Sequence, residues 1–89
     1  MFIAGTRPEA VKLAPLILDL RARGRKALVV ATGQHPALFA EALAGFGLAA
    51  DHDLGVTAPQ PDAVVGRLVP ALADLVRQQR PAWVVVQGD

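Results

Sequence analysis

Gly5, Thr6, Arg7, Pro8 and Glu9 stand together near the start of an 89-residue chain, and their types and order suit anion binding at the start of a helix. A glycine lets backbone come close to a ligand. Thr6 followed three residues later by Glu9 fits a capping box. Pro8 then falls in the first turn, where its missing N–H does no harm. Free N–H groups and the positive dipole end of such a helix attract an anion. The Arg7 guanidinium adds a fork that holds phosphate oxygens in a bidentate way. The same five residues also describe a well-capped helix without a ligand, because capping boxes are common. Lys12, further along, can reach a phosphate as a point charge or stand solvated on the surface, as most lysines do.

Two further clusters carry polar chemistry: Thr32-Gly33-Gln34-His35 and Gln87-Gly88-Asp89. His35 can carry a proton near neutral pH or donate to a ligand; a structural hydrogen bond suits it equally. Asp89 is placed for acid–base work or for a sugar hydroxyl, or else to cap a helix that follows. The string Asp51-His52-Asp53 raises the question of a metal, but a contiguous string rarely closes a site, since ligands usually come from separated segments. No metal is expected. There is no Walker motif and no G-x-G-x-x-G, so neither familiar phosphate loop is present.

The elements that must position these clusters alternate between short apolar runs and longer helical ones. Phe2-Ile3-Ala4 reads as a strand. Residues 8 to about 23 read as a helix with Ala10, Leu13, Ala14, Ile17 and Leu20 on one face, closed by Gly24. Ala27 to Ala31 is apolar throughout, as a strand covered on both faces should be. A second helix runs from Pro36 to about Phe46. Residues 48–61 hold Gly, Pro and Asp and read as loop. A third helix runs from Asp62, a plausible N-cap, to about Gln79, with Val65, Leu68, Leu72, Leu75 and Val76 on its apolar side. Trp83 to Val86 is a third strand. Pro15 and Pro70 fall inside helices, where each removes a hydrogen bond, so a kink or break is expected near both.

This order implies an α/β fold: a Rossmann-like parallel sheet with flanking helices and right-handed crossovers. Ligands bind such sheets beyond the carboxyl ends of the strands, and the three polar clusters follow those ends. The opposite ends carry Gly24-Arg25-Lys26 and Arg80-Pro81, which look like ordinary turns. That asymmetry points to a site.

Bulk properties exclude several classes. A net charge of +1 with scattered basic residues gives no footprint for nucleic acid. No apolar run approaches the roughly 20 residues of a membrane helix, and the start lacks the pattern of a signal peptide, so the expected location is the cytoplasm. With no cysteine, disulfide and thiol chemistry are out. An apolar strand at the very end of the chain would be an unprotected edge, so the sequence is expected to be part of a longer chain.

Gly5-Thr6-Arg7-Pro8-Glu9-Ala10-Val11-Lys12-Leu13-Ala14-Pro15, Thr32-Gly33-Gln34-His35, Phe46 with Asp53-Leu54, and Val84-Val85-Val86-Gln87-Gly88-Asp89 together resemble the opening of the non-hydrolysing UDP-N-acetylglucosamine 2-epimerases, over essentially the whole chain and in order. The resemblance implies a GT-B fold, two Rossmann-like domains with the active site in their cleft, with residues 1–89 as the first half of the N-terminal domain. It implies interconversion of UDP-GlcNAc and UDP-ManNAc by elimination and re-addition of UDP, with no cofactor, and a homodimer. By the same resemblance, Arg7 and Lys12 bind substrate together with Gly5 and Thr6, and Asp89 is an active-site carboxylate. Gln34, His35 and Arg67 resemble contacts of a second, regulatory UDP-GlcNAc. Ala37 departs from that pattern, since it replaces a longer polar residue. Other readings remain open: a nucleotide- or phosphate-binding half-domain without chemistry, or an enzyme for a related UDP-2-acetamido sugar. A receiver-like module is disfavoured, because the first strand ends in Gly-Thr-Arg and not in an acidic cluster.

Overall fold

The chain runs β1 (Phe2–Ala4), α1 (Arg7–Ala22), β2 (Val29–Ala31), α2 (Pro36–Ala44), β3 (His52–Asp53), α3 (Pro61–Gln79) and β4 (Val85–Val86). This computed structural model describes residues 1–56 and 61–87. The four strands form one sheet in the order β3-β2-β1-β4, and every pair is parallel. Phe2 pairs with Val29 and with Val85, which fixes β1 at the centre. The expected fold class is therefore met: a Rossmann-like parallel sheet with flanking helices.

Alternation along the strands sorts the core into two layers. Phe2 and Ala4 of β1, with Val29 and Ala31 of β2, face α1 and α2, where Ala10, Leu13, Ala14, Ile17, Phe39 and Leu43 close the packing. Met1, Ile3 and Val30 point to the other face, where Leu75 of α3 meets them and Leu72 and Val76 pack alongside. Side chains alternate with period two along a strand, so one run of small and branched apolar residues serves both layers. Val30 is fully buried between them.

Five differences separate the structure from the sequence reading. Residues 48–61, read as loop, contain β3. It pairs Val30 with His52 and Ala31 with Asp53, and Asp51 N–H donates to Val29 C=O at 2.8 Å while Leu54 N–H donates to Ala31 C=O at 2.9 Å. A two-residue polar strand on an edge carries no apolar signal, so only its partner reveals it. Pro15 and Pro70 lie inside unbroken helices. Both are exposed, so the carbonyls they deprive of a partner can turn to water. Asp62 is the second residue of α3, which starts at Pro61, so it complements the helix dipole from the first turn and does not cap it. Val65, assigned to the apolar side of α3, is 59% exposed, because the sheet lies under the C-terminal half of that helix. The strands themselves are shorter than read: β2 starts at Val29 and β4 at Val85.

Two polar ties secure the frame. Asp51 Oδ2 accepts the Val29 N–H at 2.7 Å and an Arg21 Nη2 hydrogen at 3.2 Å, and Arg21 also donates to Ala27 C=O at 2.7 Å. The Met1 ammonium donates to Trp83 C=O at 2.9 Å and so extends the β1–β4 ladder. Burial holds that amine below its ordinary pKa of 8.0.

Candidate functional site

Because all strands are parallel, their carboxyl ends share one edge of the sheet. Gly5-Thr6-Arg7 follows β1, Thr32 to His35 follow β2, and Gln87 ends β4; Gly88 and Asp89 lie outside the described residues. The order β3-β2-β1-β4 reverses direction between β1 and β4. Such a switch point opens a crevice outside the strand ends, where ligands of open α/β sheets bind. The Gly5–Arg7 turn stands on one lip of it and the end of β4 on the other.

The α1 start is capped as its residues require. Thr6 is extended, at φ −120 and ψ 159, and a capping box with Glu9 is present. The Glu9 half of the box dominates: its Oε1 accepts from the Thr6 N–H at 3.0 Å, the Thr6 hydroxyl at 2.6 Å and the Gly5 N–H at 3.3 Å. A single carboxylate oxygen therefore gathers the donors of the two residues that lead into α1.

Gly5 is the joint between two loops. Its carbonyl accepts the His35 N–H at 3.2 Å, while its own N–H goes to Glu9. A Cβ at Gly5 would overlap Thr32 Oγ1 and crowd Gln34 Cβ at 3.3 Å. The close approach of the neighbouring loop to its backbone requires a glycine here. Thr32, named above within the second polar cluster, shapes the site through a contact made across 27 residues of chain, which no local pattern announces. Thr32 is itself pinned, its N–H donating to Ala4 C=O at 2.9 Å and its C=O accepting from Val56 N–H at 2.8 Å. Gly33 has φ +98, and a Cβ there would meet Val56 N at 2.7 Å and Gly55 C at 2.8 Å. The three loops that follow β1, β2 and β3 are thus locked together by backbone contacts.

The charged candidates sit on this platform. Arg7 is exposed and lines a groove of about 360 Å³ between α1 and α2, with Val11, Leu38, Glu41 and Phe46. Lys12 is also exposed. Five residues along a helix turn by roughly 140°, so α1 alone does not aim Arg7 and Lys12 at one point. His35 is the N-cap residue of α2, with φ −136 and ψ 73 and no side-chain cap bond. Its ring and the Gln34 amide are exposed. Arg67 is exposed on α3, the helix on the other face of the sheet from α2. The structure therefore joins Gly5, Thr6, Gln34 and His35 through the Gly5 joint and leaves Arg67 on a separate element.

Two other cavities compete less well. One of about 640 Å³ opens at the amino ends of the strands, lined by Phe2, Leu16, Leu20, Trp83 and Val85, with Arg23 and Asp19 bonded to each other at its rim. It is larger than the groove at Arg7 but lies away from every polar cluster at the carboxyl edge. Another, of about 190 Å³, lies under α2 and is walled by alanines, Gly5, Gly33 and Asp53. Asp51 and Asp53 are already engaged, the first by Val29 and Arg21 and the second by the Gly55 N–H at 2.9 Å. No group of three or more His, Cys, Asp or Glu able to hold a metal occurs among the described residues. No helix among them is long and apolar enough to cross a membrane.

Comparison with known proteins places this architecture. The family model for UDP-N-acetylglucosamine 2-epimerase matches residues 19–89. The chain is 33% identical to the UDP-N-acetylglucosamine 2-epimerase of Neisseria meningitidis, over 98% of this chain and 24% of that protein. It is 32% identical to the Bacillus subtilis enzyme of the same name, over 100% of this chain and 24% of that protein. The crystal structure of the Neisseria meningitidis enzyme bound to UDP-GlcNAc superposes with a TM-score of 0.88 at 33% identity, covering 99% of this chain and 25% of that one. The chain spans about a quarter of the length of the curated relatives it matches.

Proposed function

The chain belongs to the UDP-N-acetylglucosamine 2-epimerase family, and from that premise we propose that the full-length protein interconverts UDP-GlcNAc and UDP-ManNAc by epimerisation at sugar C2. The observation that carries this reading is the agreement of the whole chain with a relative solved with UDP-GlcNAc bound. In this reading residues 1–89 form the first half of an N-terminal domain, and a second Rossmann-like domain supplies the other wall of the cleft. The protein acts as a homodimer in the cytoplasm and needs no cofactor.

The reaction removes the C2 proton and breaks the bond from C1 to the UDP oxygen, which leaves a glycal. UDP then adds back at C1 and a proton returns to C2 from the opposite face. Arg7 receives the diphosphate through paired, charge-assisted hydrogen bonds, which hold UDP alike in the substrate and in the eliminated state. Lys12 adds a second positive charge when the other domain closes over α1. Asp89 takes part in proton transfer at C2. Gln34 and His35, carried on the Gly5 joint, and Arg67 hold a regulatory UDP-GlcNAc, with Ala37 weakening that second site.

The test uses the full-length protein with UDP-GlcNAc in D₂O. Proton NMR is expected to show UDP-ManNAc with deuterium at C2. Asp89→Asn is expected to lower kcat by about 100-fold or more, as loss of a general acid–base group does, with UDP affinity nearly unchanged. Arg7→Ala is expected to weaken UDP binding by about 10- to 100-fold, the size of a lost charge-assisted contact. Full activity in Asp89→Asn would remove that residue from the chemistry. Absence of any deuterium exchange or product in the wild type would remove the epimerase reading itself.

A further inference from the structure

The Glu9 carboxylate turns back onto the two residues that lead into α1. Its Oε1 takes the Thr6 N–H, the Thr6 hydroxyl and the Gly5 N–H at once. Pro8 has no N–H to offer, and the Ala10 N–H is already given to Thr6 C=O at 3.1 Å. A phosphate approaching these amides would meet filled donors and a negative charge beside them. The charged donor at the cap is the Arg7 guanidinium, which is exposed and faces a groove. Gly5, held on its N–H by Glu9, is held on its carbonyl by His35, so the same carboxylate steadies both loops of the site.

Resting on the reading that Arg7 receives the diphosphate, we propose that Glu9 is a positioning residue: a resident anion that binds the Gly5 and Thr6 amides ahead of α1 and fixes the turn from which Arg7 projects. The nucleotide phosphate is then taken by the Arg7 fork and not by those two amides. Two consequences separate this role from plain helix capping. Loss of Glu9 harms ligands in proportion to their phosphate, and an uncharged acceptor of the same shape repairs the harm.

The experiment measures UDP and uridine binding by calorimetry, together with KM and kcat for UDP-GlcNAc, on full-length wild type, Glu9→Ala and Glu9→Gln. Glu9→Ala is expected to raise the UDP Kd and the KM by about tenfold while kcat stays within about threefold, the pattern of lost uniform binding. Uridine affinity is expected to stay within about twofold of wild type, because it lacks the group that Arg7 holds. Glu9→Gln keeps a carbonyl oxygen for the same N–H groups and is expected to return UDP affinity to within about threefold of wild type. Unchanged UDP affinity in Glu9→Ala would overturn the proposal, and tighter affinity would show that the amides are the phosphate site and Glu9 their competitor. Parallel loss of uridine and UDP binding with a lower Tm would reduce Glu9 to a stability role. If wild type binds no UDP, the functional reading fails first and this role fails with it; if wild type binds UDP normally, the outcome concerns Glu9 alone.

Discussion

The two faces of the sheet are built from similar residues and finished to different degrees. On the α1/α2 face, helix residues spaced three and four apart meet Phe2, Ala4, Val29 and Ala31, and Ala14 is fully buried. On the α3 face, Leu75 alone among that helix's described residues is buried, with Leu72 and Val76 beside it, while Val65 and Val69 are each 59% exposed. At the β4 edge Trp83 is 80% exposed. Apolar spacing therefore states which side of a helix can be buried, but burial needs a surface opposite. The first face lies over the paired centre of β1 and β2. On the second face only the Leu72–Val76 part of α3 packs on Met1, Ile3 and Val30.

The comparison can be broken by substitution, with the largest effect expected on the finished face. Ile17 is 1% exposed within the α1/α2 core, and Ile17→Ala is expected to cost about 2–5 kcal/mol by lost transfer energy and a residual cavity. Denaturant unfolding of the full-length protein reads this as a lower midpoint. A cost below 1 kcal/mol would mean that this core is no better packed than the other. Next comes the loop platform above it. Gly33→Ala must place a Cβ against backbone at Gly55 and Val56 and hold φ near +98, so we expect a loss of about 2–4 kcal/mol from strain and overlap together. Wild-type stability in that variant would unlock the three loops.

Smaller effects sharpen the contrast. Val69→Ala, on the exposed side of α3, is expected to change stability by less than about 0.5 kcal/mol, as exposed substitutions usually do. A loss of 2 kcal/mol or more would show that a partner or a further part of the full-length protein covers this face. The smallest effect concerns the Met1 amine. Its folded pKa is lowered from 8.0 by burial, so between the folded value and 8.0 the unfolded chain binds more protons, and stability rises with pH in that window. The gain is complete above pH 8 and is lost as pH falls through the folded value. Unfolding measured at pH 6.5 and 8.5 is expected to show this rise, and acetylation of the amine is expected to abolish it.

Much of this protein is written locally. The five apolar positions of α1 were legible because one helix periodicity serves one face, and four of them, Ala10, Leu13, Ala14 and Ile17, are buried. The Thr6–Glu9 pair was legible because a capping box is a contact three residues long. Even the carboxyl-edge grouping of Gly5–Arg7 with Thr32–His35 followed from alternating strands and helices, since parallel strands share one edge. Other features were decided only by contacts between distant segments. β3 exists because Val29, Val30 and Ala31 present an open edge to a polar pair that has no strand pattern of its own. Gly5 is glycine because Thr32 packs on it. Sequence fixes what each segment can offer, while folding decides which neighbour takes the offer, because hydrogen bonds and van der Waals contacts are satisfied by whichever group arrives within reach.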